Sequence, residues 1–318
     1  MSALAWALVA APSLVPLGMT AFNLATWSRG RAAAPVPATR VSVLVPARNA
    51  ERHVEGAVRA IAASAPWAHE IVVCDDGSTD ATAEILARLA RELPLLRVVR
   101  AAPLPPGWVG KPHACATLAR AATGDLFVYV DVDVRVAPGG LARLVSLCAD
   151  ADVATALPEQ QIRGFFEGLV LPLLGLTCTA WFPLVLVRRS RDPRFVAACG
   201  QLLAVRREAL LAIGGFEAVR SEIVDDVAFC RRAKERGARV VFADGLRMAS
   251  CRMYESRAEV WRGFAKNLFE GIGASRLALA LVVALHLGCF VGPYVALPVA
   301  LALGATEVAL AAGVGVAA

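Results

Sequence analysis

The sequence predicts an α/β domain, a mostly parallel sheet with helices on both faces, held between apolar ends long enough to cross a membrane. Three observations predict it. Strand-like and helix-like segments alternate from Val41 to about residue 270, acids gather where the strands end, and apolar sequence is concentrated at the two termini. The 318 residues are 57% hydrophobic and only 19% charged. With a mean hydropathy of +0.57 the chain is too apolar for an ordinary soluble domain, yet long enough to enclose a core of its own.

The elements follow in order. Residues 2–27 carry no charged side chain, and a bilayer needs roughly 20 apolar residues to be crossed. A cleaved signal peptide is one reading, supported by the small residues at 32–38. The start lacks a positive region, however, and Arg29 and Arg31 follow the run, so an uncleaved anchor over 1–28 and a linker over 29–40 are expected. "VSVLVPA" (41–47) is a β-branched strand, followed by helix from near Glu51. "EIVVCDDGS" (70–78) is a second strand breaking into a turn. "TDATAEILARLAREL" (79–93) is a helix with a capping start. "LRVVR" is a third strand, and "LPPGWVGKPHACATLARAATG" a loop entering a helix that stops at Gly124. "DLFVYVDVD" reads as a fourth strand, with a helix from about Pro138.

The second half departs from this rhythm. Residues 168–187 are almost wholly apolar and run into Arg188, Arg189, Arg191 and Arg194. A span and a buried core helix are both open there. Pro172 and Pro183, and the need to keep both halves on one side, favour an interfacial or re-entrant segment. From Leu277 to Ala318 the one charged residue is Glu307. Two transmembrane helices are expected over 277–318, turning near Gly292-Pro293 or at shifted boundaries. Basic residues at Arg29, Arg31, Lys266 and Arg276 place the middle of the chain in the cytoplasm.

The net charge is +6, but no basic stripe with interleaved aromatics accompanies it, which argues against nucleic acid. A membrane surface or a polyphosphate-bearing substrate suits the charge better. The eight cysteines show no paired spacing and sit mostly among apolar residues, as reduced structural thiols do. His53, His69, His113 and His286 are not spaced as a metal site. Nothing in the sequence indicates a protein partner.

In open sheets of this kind ligands bind beyond the carboxyl ends of the strands. Asp75-Asp76 and Asp131-Val132-Asp133 lie at such ends. In a regular strand Asp131 and Asp133 share one face and repel, unless a cation joins them or solvent screens them. Singly these motifs are ordinary: a solvated strand end, an Asp-Gly turn, an acid-capped helix at "VDDVAFCRRAKERG" (224–237).

Their order and spacing together resemble the family 2 glycosyltransferases of GT-A fold. The resemblance covers roughly residues 40–270, through "VLVPARNAE", "IVVCDDGSTDAT", "GDLFVYVDVDV", "LLAVRREALLAIGGFE" and "DDVAFCRRAKERGARV". "LPPGWVGKPHAC" and "CRMYESRAEVWRGFAKNLF" are similar to the branch associated with carotenoid and hopanoid pathways. The resemblance implies a GT-A, Rossmann-like catalytic domain over 41–272 at the cytoplasmic face of the cell membrane, in a multi-pass protein. It implies an inverting transfer of a hexose from a UDP-sugar to a carotenoid- or terpenoid-type lipid. Pro46, Arg48, Asn49, Asp75 and Asp76 then form the nucleotide end. Asp131 and Asp133 hold Mg²⁺ or Mn²⁺ against the donor phosphates, with hard oxygen ligands for hard cations. Lys111 either assists the same leaving group or is a surface lysine.

Asp226 resembles the general base, with Asp225 beside it where Glu is more usual. Gly214-Gly215-Phe216 is either a turn lining the acceptor side or a helix C-cap. Arg252, Tyr254 and Trp261 lie where processive relatives carry Gln-x-x-Arg-Trp, which is absent here and argues against polymer synthesis. A polyprenyl-phosphate acceptor keeps the same chemistry. A non-catalytic membrane scaffold explains the fold but not the retained acids, and a nucleotidyltransferase explains neither the Asp225-Asp226 helix nor the apolar ends.

Overall fold

The computed structural model describes residues 10–31, 39–254, 256–271 and 275–317. Residues 1–9 of the expected anchor and 32–38 of the expected linker lie outside them. The chain divides into two units. One comprises Trp27–Glu167 and Leu184–Glu255; the other comprises Met1–Thr26, Gly168–Pro183 and Ser256–Ala318.

The first unit is built on one eight-stranded sheet. Its elements are β1 (Val41–Ala47), α2 (Val54–Ser64), β2 (Glu70–Asp75), α3 (Thr82–Glu92), β3 (Leu96–Arg100), α4 (Gly110–Ala121), β4 (Leu126–Val130), β5 (Val134–Val136), α5 (Gly140–Leu147), β6 (Val153–Gln160), α7 (Val185–Arg189), β7 (Leu202–Arg206), α8 (Arg207–Ile213), α9 (Asp225–Glu235) and β8 (Val240–Cys251). The label α1 belongs to Ala11–Thr26 and α6 to Phe165–Ala180, both described below.

The strand order is β3-β2-β1-β4-β7-β6-β8-β5. Strands β1 to β4 pair in parallel. Beyond them β7 is antiparallel to both β4 and β6, and β5 is antiparallel to β8, while β6 and β8 are parallel. The mostly parallel sheet of the sequence reading is therefore parallel in its first half and mixed in its second. Val43 and Val45 join a core with Val58, Ile61, Leu141 and Leu144. Leu44, Val72 and Phe127, on the opposite face of their strands, are buried as well. Burial on both faces is why these strands read as unbroken apolar runs.

Two features position the site. The chain passes from β1 to β2 and β3 on one side, then returns to place β4 on the other side of β1. That reversal opens a crevice at the carboxyl ends of β1 and β4, where ligands of such sheets bind. The second feature corrects the sequence reading of 129–137. β4 stops at Val130, and Asp131 to Asp133 form a turn closed by the Val134 N–H to the Asp131 carbonyl, 3.0 Å. The break follows from pairing: β4 lies against β1 and β7, whereas β5 leaves to join β8. The two carboxylates thus lie on a turn, not along one strand face.

The second unit is helical: α1 (Ala11–Thr26), most of α6 (Phe165–Ala180), α10 (Arg257–Gly271), α11 (Arg276–His286), a π-helical segment Leu287–Val291, α12 (Gly292–Ala302) and α13 (Thr306–Ala317). Asn23 donates from Nδ2 to the carbonyls of Thr179 and Phe182, at 2.7 and 2.9 Å, tying α1 to the end of α6. Ser13 Oγ donates to the Cys289 carbonyl at 2.6 Å. Many outward side chains are apolar, among them Val15, Leu173, Leu281, Val295 and Leu301, while α10 exposes Arg257, Glu259 and Arg262.

Helix runs unbroken through Gly292-Pro293, where a turn was one of the two expectations, the other being shifted boundaries. Pro293 lacks an N–H, but it opens α12 directly after the π segment, where the ordinary hydrogen-bond pattern is already interrupted. The chain turns instead at Gly304, φ +64°. Among the described residues one helical run, Arg276–Ala302, is long and apolar enough to cross a membrane, while Phe165–Ala180 and Thr306–Ala317 are shorter.

Candidate functional site

Two clusters of sequence-predicted residues meet through the first turn of α4. At the ends of β1 and β2, Asn49 takes a left-handed conformation, φ +48°, which Asn tolerates better than most residues. Its Oδ1 accepts the Thr79 N–H at 2.8 Å, and its own N–H donates to Ser78 Oγ at 3.0 Å. Asp75 is buried and accepts the Ser78 N–H at 2.9 Å, closing the turn after β2. Asp76 lies 3.6 Å from Arg48 Nη1 and 3.7 Å from His113 Nδ1. Pro46 pairs with Cys74 in the β1–β2 ladder and is partly exposed. Gly110 comes next to Asp76: a Cβ there would stand 3.2 Å from its Oδ2.

The neighbouring residue, Lys111, belongs to the second cluster. Its Nζ is 2.7 Å from Asp131 Oδ2. Burial alone would lower an ammonium's pKa, but the carboxylates of Asp131 and Asp225 overcome it and hold Lys111 well above its ordinary value. Burial pushes Asp131 up; Lys111 opposes that shift and Asp133 adds to it. Asp225, buried in the first turn of α9, is likewise raised by burial, with Lys111 opposing. One ammonium thus faces two acids, Asp225 buried and Asp131 partly so, with the Lys111 side chain itself 35% exposed.

Asp226 Oδ2 accepts the Gly200 N–H at 2.6 Å, and its Oδ1 accepts the Val227 N–H at 2.8 Å. Gly200 is squeezed between the two groups. A Cβ on it would meet Lys111 Nζ at 3.0 Å and Asp226 Cβ at 3.2 Å. Lys111, Asp131, Asp225, Asp226 and Gly200 line one small pocket, with Tyr129 and Phe216 among its walls. Phe216 stacks on Phe229 at 4.9 Å and lies edge-to-face with Tyr129 at 5.0 Å, giving that side an aromatic wall.

The other predicted acceptor-side residues are placed differently. Gly214 takes φ +94° and ends α8, and Gly215 donates back to the Leu210 carbonyl at 2.9 Å. These two glycines form the helix C-cap, and Phe216 alone reaches the pocket. Arg252 pairs with Glu167 Oε1 at 3.0 Å, and Glu167 also accepts the N–H groups of Arg163 and Gly164. Tyr254 is half-buried, its hydroxyl pKa raised by burial and by Asp133. Trp261 is exposed on α10, in the helical unit.

Sequence reasoning missed Gly200 and Gln201. Gln201 is buried, and its carbonyl accepts the Asp131 N–H at 3.1 Å. Its Nε2 donates to Cys251 Sγ at 3.0 Å and its Oε1 accepts from Gln160 at 2.9 Å. "CGQ" follows no periodicity that would have marked it; the one signal is a glycine and an uncharged polar residue just before the apolar strand β7.

The acid turn also bears on a cation. Asp133 Oδ1 is buried and accepts no hydrogen bond, which is costly for a carboxylate oxygen unless a positive charge meets it. Two carboxylates of hard oxygen donors suit Mg²⁺ or Mn²⁺. Among the described residues no group of three or more His, Cys, Asp and Glu forms a full protein cage, so ligand and water oxygens would complete the shell.

A family model described as glycosyltransferase like family 2 matches residues 37–273. The chain is 24% identical over 263 residues to a 4,4'-diaponeurosporenoate glycosyltransferase of Staphylococcus haemolyticus, covering 78% of this chain and 66% of that protein. It is 27% identical over 195 residues to a beta-monoglucosyldiacylglycerol synthase of Nostoc sp., covering 59% of this chain and 39% of that protein. The chain thus spans just under two thirds of the first relative and well under half of the second. In fold it is similar to a mannosyltransferase of Pyrobaculum calidifontis solved with GDP-Man and Mn²⁺. The TM-score is 0.57 at 22% identity, over 99% of this chain and 85% of that one.

Proposed function

The chain belongs to glycosyltransferase-like family 2, and we propose that it moves a hexose from a nucleotide sugar, UDP-linked by preference, to a lipid acceptor with inversion at the sugar carbon. The observation that carries this reading is the convergence of Lys111, Asp131, Asp225 and Asp226 on one pocket at the switch point of the sheet. Charge of both signs is held there by burial and by backbone N–H groups, ready for a reaction that separates charge.

Asp131 and Asp133 would hold the divalent ion, which when bound neutralises charge on a departing diphosphate. The remaining work falls to this chain's own groups. Arg48, Asn49, Asp75 and Asp76 make the nucleotide end of the site, with Asp76 the carboxylate nearest Arg48 and Asp75 fixing the turn. Lys111 offers its ammonium to the leaving phosphate oxygens. Asp226, oriented by the Gly200 and Val227 N–H groups, takes the proton of an acceptor hydroxyl, or positions an acceptor carboxylate that is already ionised at neutral pH. The acceptor oxygen bonds to the sugar carbon as the bond to the diphosphate breaks, and the nucleoside diphosphate leaves with the electron pair. A carotenoid- or terpenoid-type acceptor is supported by the relative that acts on diaponeurosporenoate. The apolar run Arg276–Ala302 supports work at a membrane face.

The test is release of UDP or GDP by detergent-solubilised protein, given a panel of nucleotide sugars and a total lipid extract. It is run with Mn²⁺ or Mg²⁺, with chelator, and beside Asp133→Ala and Asp226→Asn. Metal-dependent release lost in both variants is expected. Release that survives in both, or no release and no nucleotide binding, would overturn the proposal.

A further inference from the structure

The helical unit encloses a cavity of about 460 Å³ that is separate from the polar pocket of the sheet unit. Its volume falls within the range of about 300–1,000 Å³ typical of sites for small organic ligands. The walls come from α1, α6, the π segment, α12 and α13. Pro16, Leu17, Leu176, Phe290 and Val316 make them apolar, and among the described residues no charged side chain lines the space. That lining excludes a nucleotide or a phosphate, whose charge would go uncompensated.

The polar side chains in the lining are the hydroxyls of Ser13, Thr20 and Tyr294 and the thiol of Cys289, and two of the hydroxyls are engaged within the unit. Ser13 Oγ donates to the Cys289 carbonyl, and Thr20 Oγ1 lies 3.5 Å from Thr179 Oγ1. Gly315 closes one end by tight packing, since a Cβ there would meet Pro293 Cγ at 2.8 Å. Leu17 and Tyr294 line the cavity and are also exposed, at 45% and 61%. The cavity therefore opens sideways onto the outer surface of the unit. That surface is apolar on the same helices, at Leu14, Val15, Val295 and Leu310. Such an opening suits a ligand that arrives from hydrocarbon.

We propose that this cavity binds the hydrocarbon tail of a single lipid, acyl or isoprenyl, drawn in laterally past Leu17 and Tyr294. Apolar cavities of this kind shed water readily and take apolar occupants. The inference does not rest on sugar transfer: the cavity would hold a tail whether or not that lipid is the one glycosylated.

The experiment uses the full chain in nanodiscs with two photoactivatable probes, a clickable diazirine palmitoyl chain and a clickable diazirine geranylgeraniol, followed by peptide mapping. Adducts concentrated on peptides carrying Leu17, Leu176 or Phe290 are expected, and excess hexadecanol should compete them away in the wild-type chain. Leu176→Trp and Val316→Trp, which fill the space, should each weaken labelling about tenfold by overpacking. Leu285→Trp, on α11 and outside the cavity lining, should leave it unchanged. The stronger probe decides between acyl and isoprenyl. Adducts spread evenly over exposed apolar residues, or labelling that neither hexadecanol nor the Trp variants reduce, would overturn the proposal. Nucleotide release is not part of the readout, so failure of the transfer reading would not touch this result.

Discussion

Replacing Lys111 by Met separates a charge-compensating lysine from one that merely fills space. Met keeps most of the length and packing of the side chain but removes the ammonium that lies 2.7 Å from Asp131 and also offsets Asp225. Breaking a fully buried ion pair by removing one partner costs about 3–5 kcal/mol. Here the side chains retain 35% and 22% exposure, which screens part of the loss and leaves roughly 2–3 kcal/mol. In a unit of this size that is a fall in melting temperature of about 5–10 °C. The assay is a thermal melt with chelator present, so that no divalent ion substitutes for the lost charge. The double variant Lys111→Met/Asp131→Asn should recover more than half of the loss, with a coupling of about 1–3 kcal/mol in the cycle. A Lys111→Met melt within about 1 °C of wild type, below what even a 1 kcal/mol loss would produce, would refute the charge-compensation argument.

Further expectations follow from other contacts. Asp226→Asn should lower transfer by about 10²–10⁴-fold, while nucleotide binding, measured by calorimetry, stays near wild type. Gly200→Ala should fold but turn over more slowly, because its Cβ would press on Lys111 Nζ and Asp226 Cβ; unchanged kcat would contradict that packing. Lys234 is buried and donates to the carbonyls of Ser190 and Phe195 at 3.0 and 2.6 Å. Its replacement by Ala should cost about 2–4 kcal/mol and expose residues 190–195 to limited proteolysis. Hydrogen bonds from Thr123, Ser42 and Arg97 outweigh burial and hold Glu70 down at about 2, against an ordinary 4.5. A depressed carboxylate adds stability above its unfolded value that is lost as pH falls from about 4.5 to 2, here roughly 1–2 kcal/mol after screening. Glu70→Gln should flatten that part of the acid-unfolding curve, and an identical slope would count against it.

Much of the sheet unit is legible in the sequence because its signals are local. "VSVLVPA", "EIVVCD" and "LRVVR" are strands wherever their partners lie, and the helix after "STDAT" starts where Asp80 accepts the Thr82 N–H. The break at Val130 is not local. Nothing in "VYVDVDVRV" says that its first half pairs with β1 and β7 and its second half with β8; only the whole sheet decides that. The Gly214-Gly215 cap was one of two readings, and the geometry selects it because φ +94° at Gly214 belongs to a helix end. Gln201 stayed hidden for the same reason as the break: its partners Gln160, Cys251 and Asp131 are each about forty to seventy residues away in sequence. In the helical unit hydropathy alone could not place the turn, since Gly292-Pro293 looks like one and is carried through as helix by the preceding π segment.

The central claim is that a sugar passes from a nucleotide to a lipid through Asp226. The most direct measurement follows a labelled hexose from UDP-hexose or GDP-hexose into the organic-extractable fraction, with wild-type protein and Asp226→Asn compared under saturating donor and Mn²⁺. The account predicts label in the lipid fraction for the wild-type chain and nearly none for the variant, with donor still bound by both. Label that remains in water as free hexose or intact donor, or that reaches lipid equally well with Asp226→Asn, would contradict it.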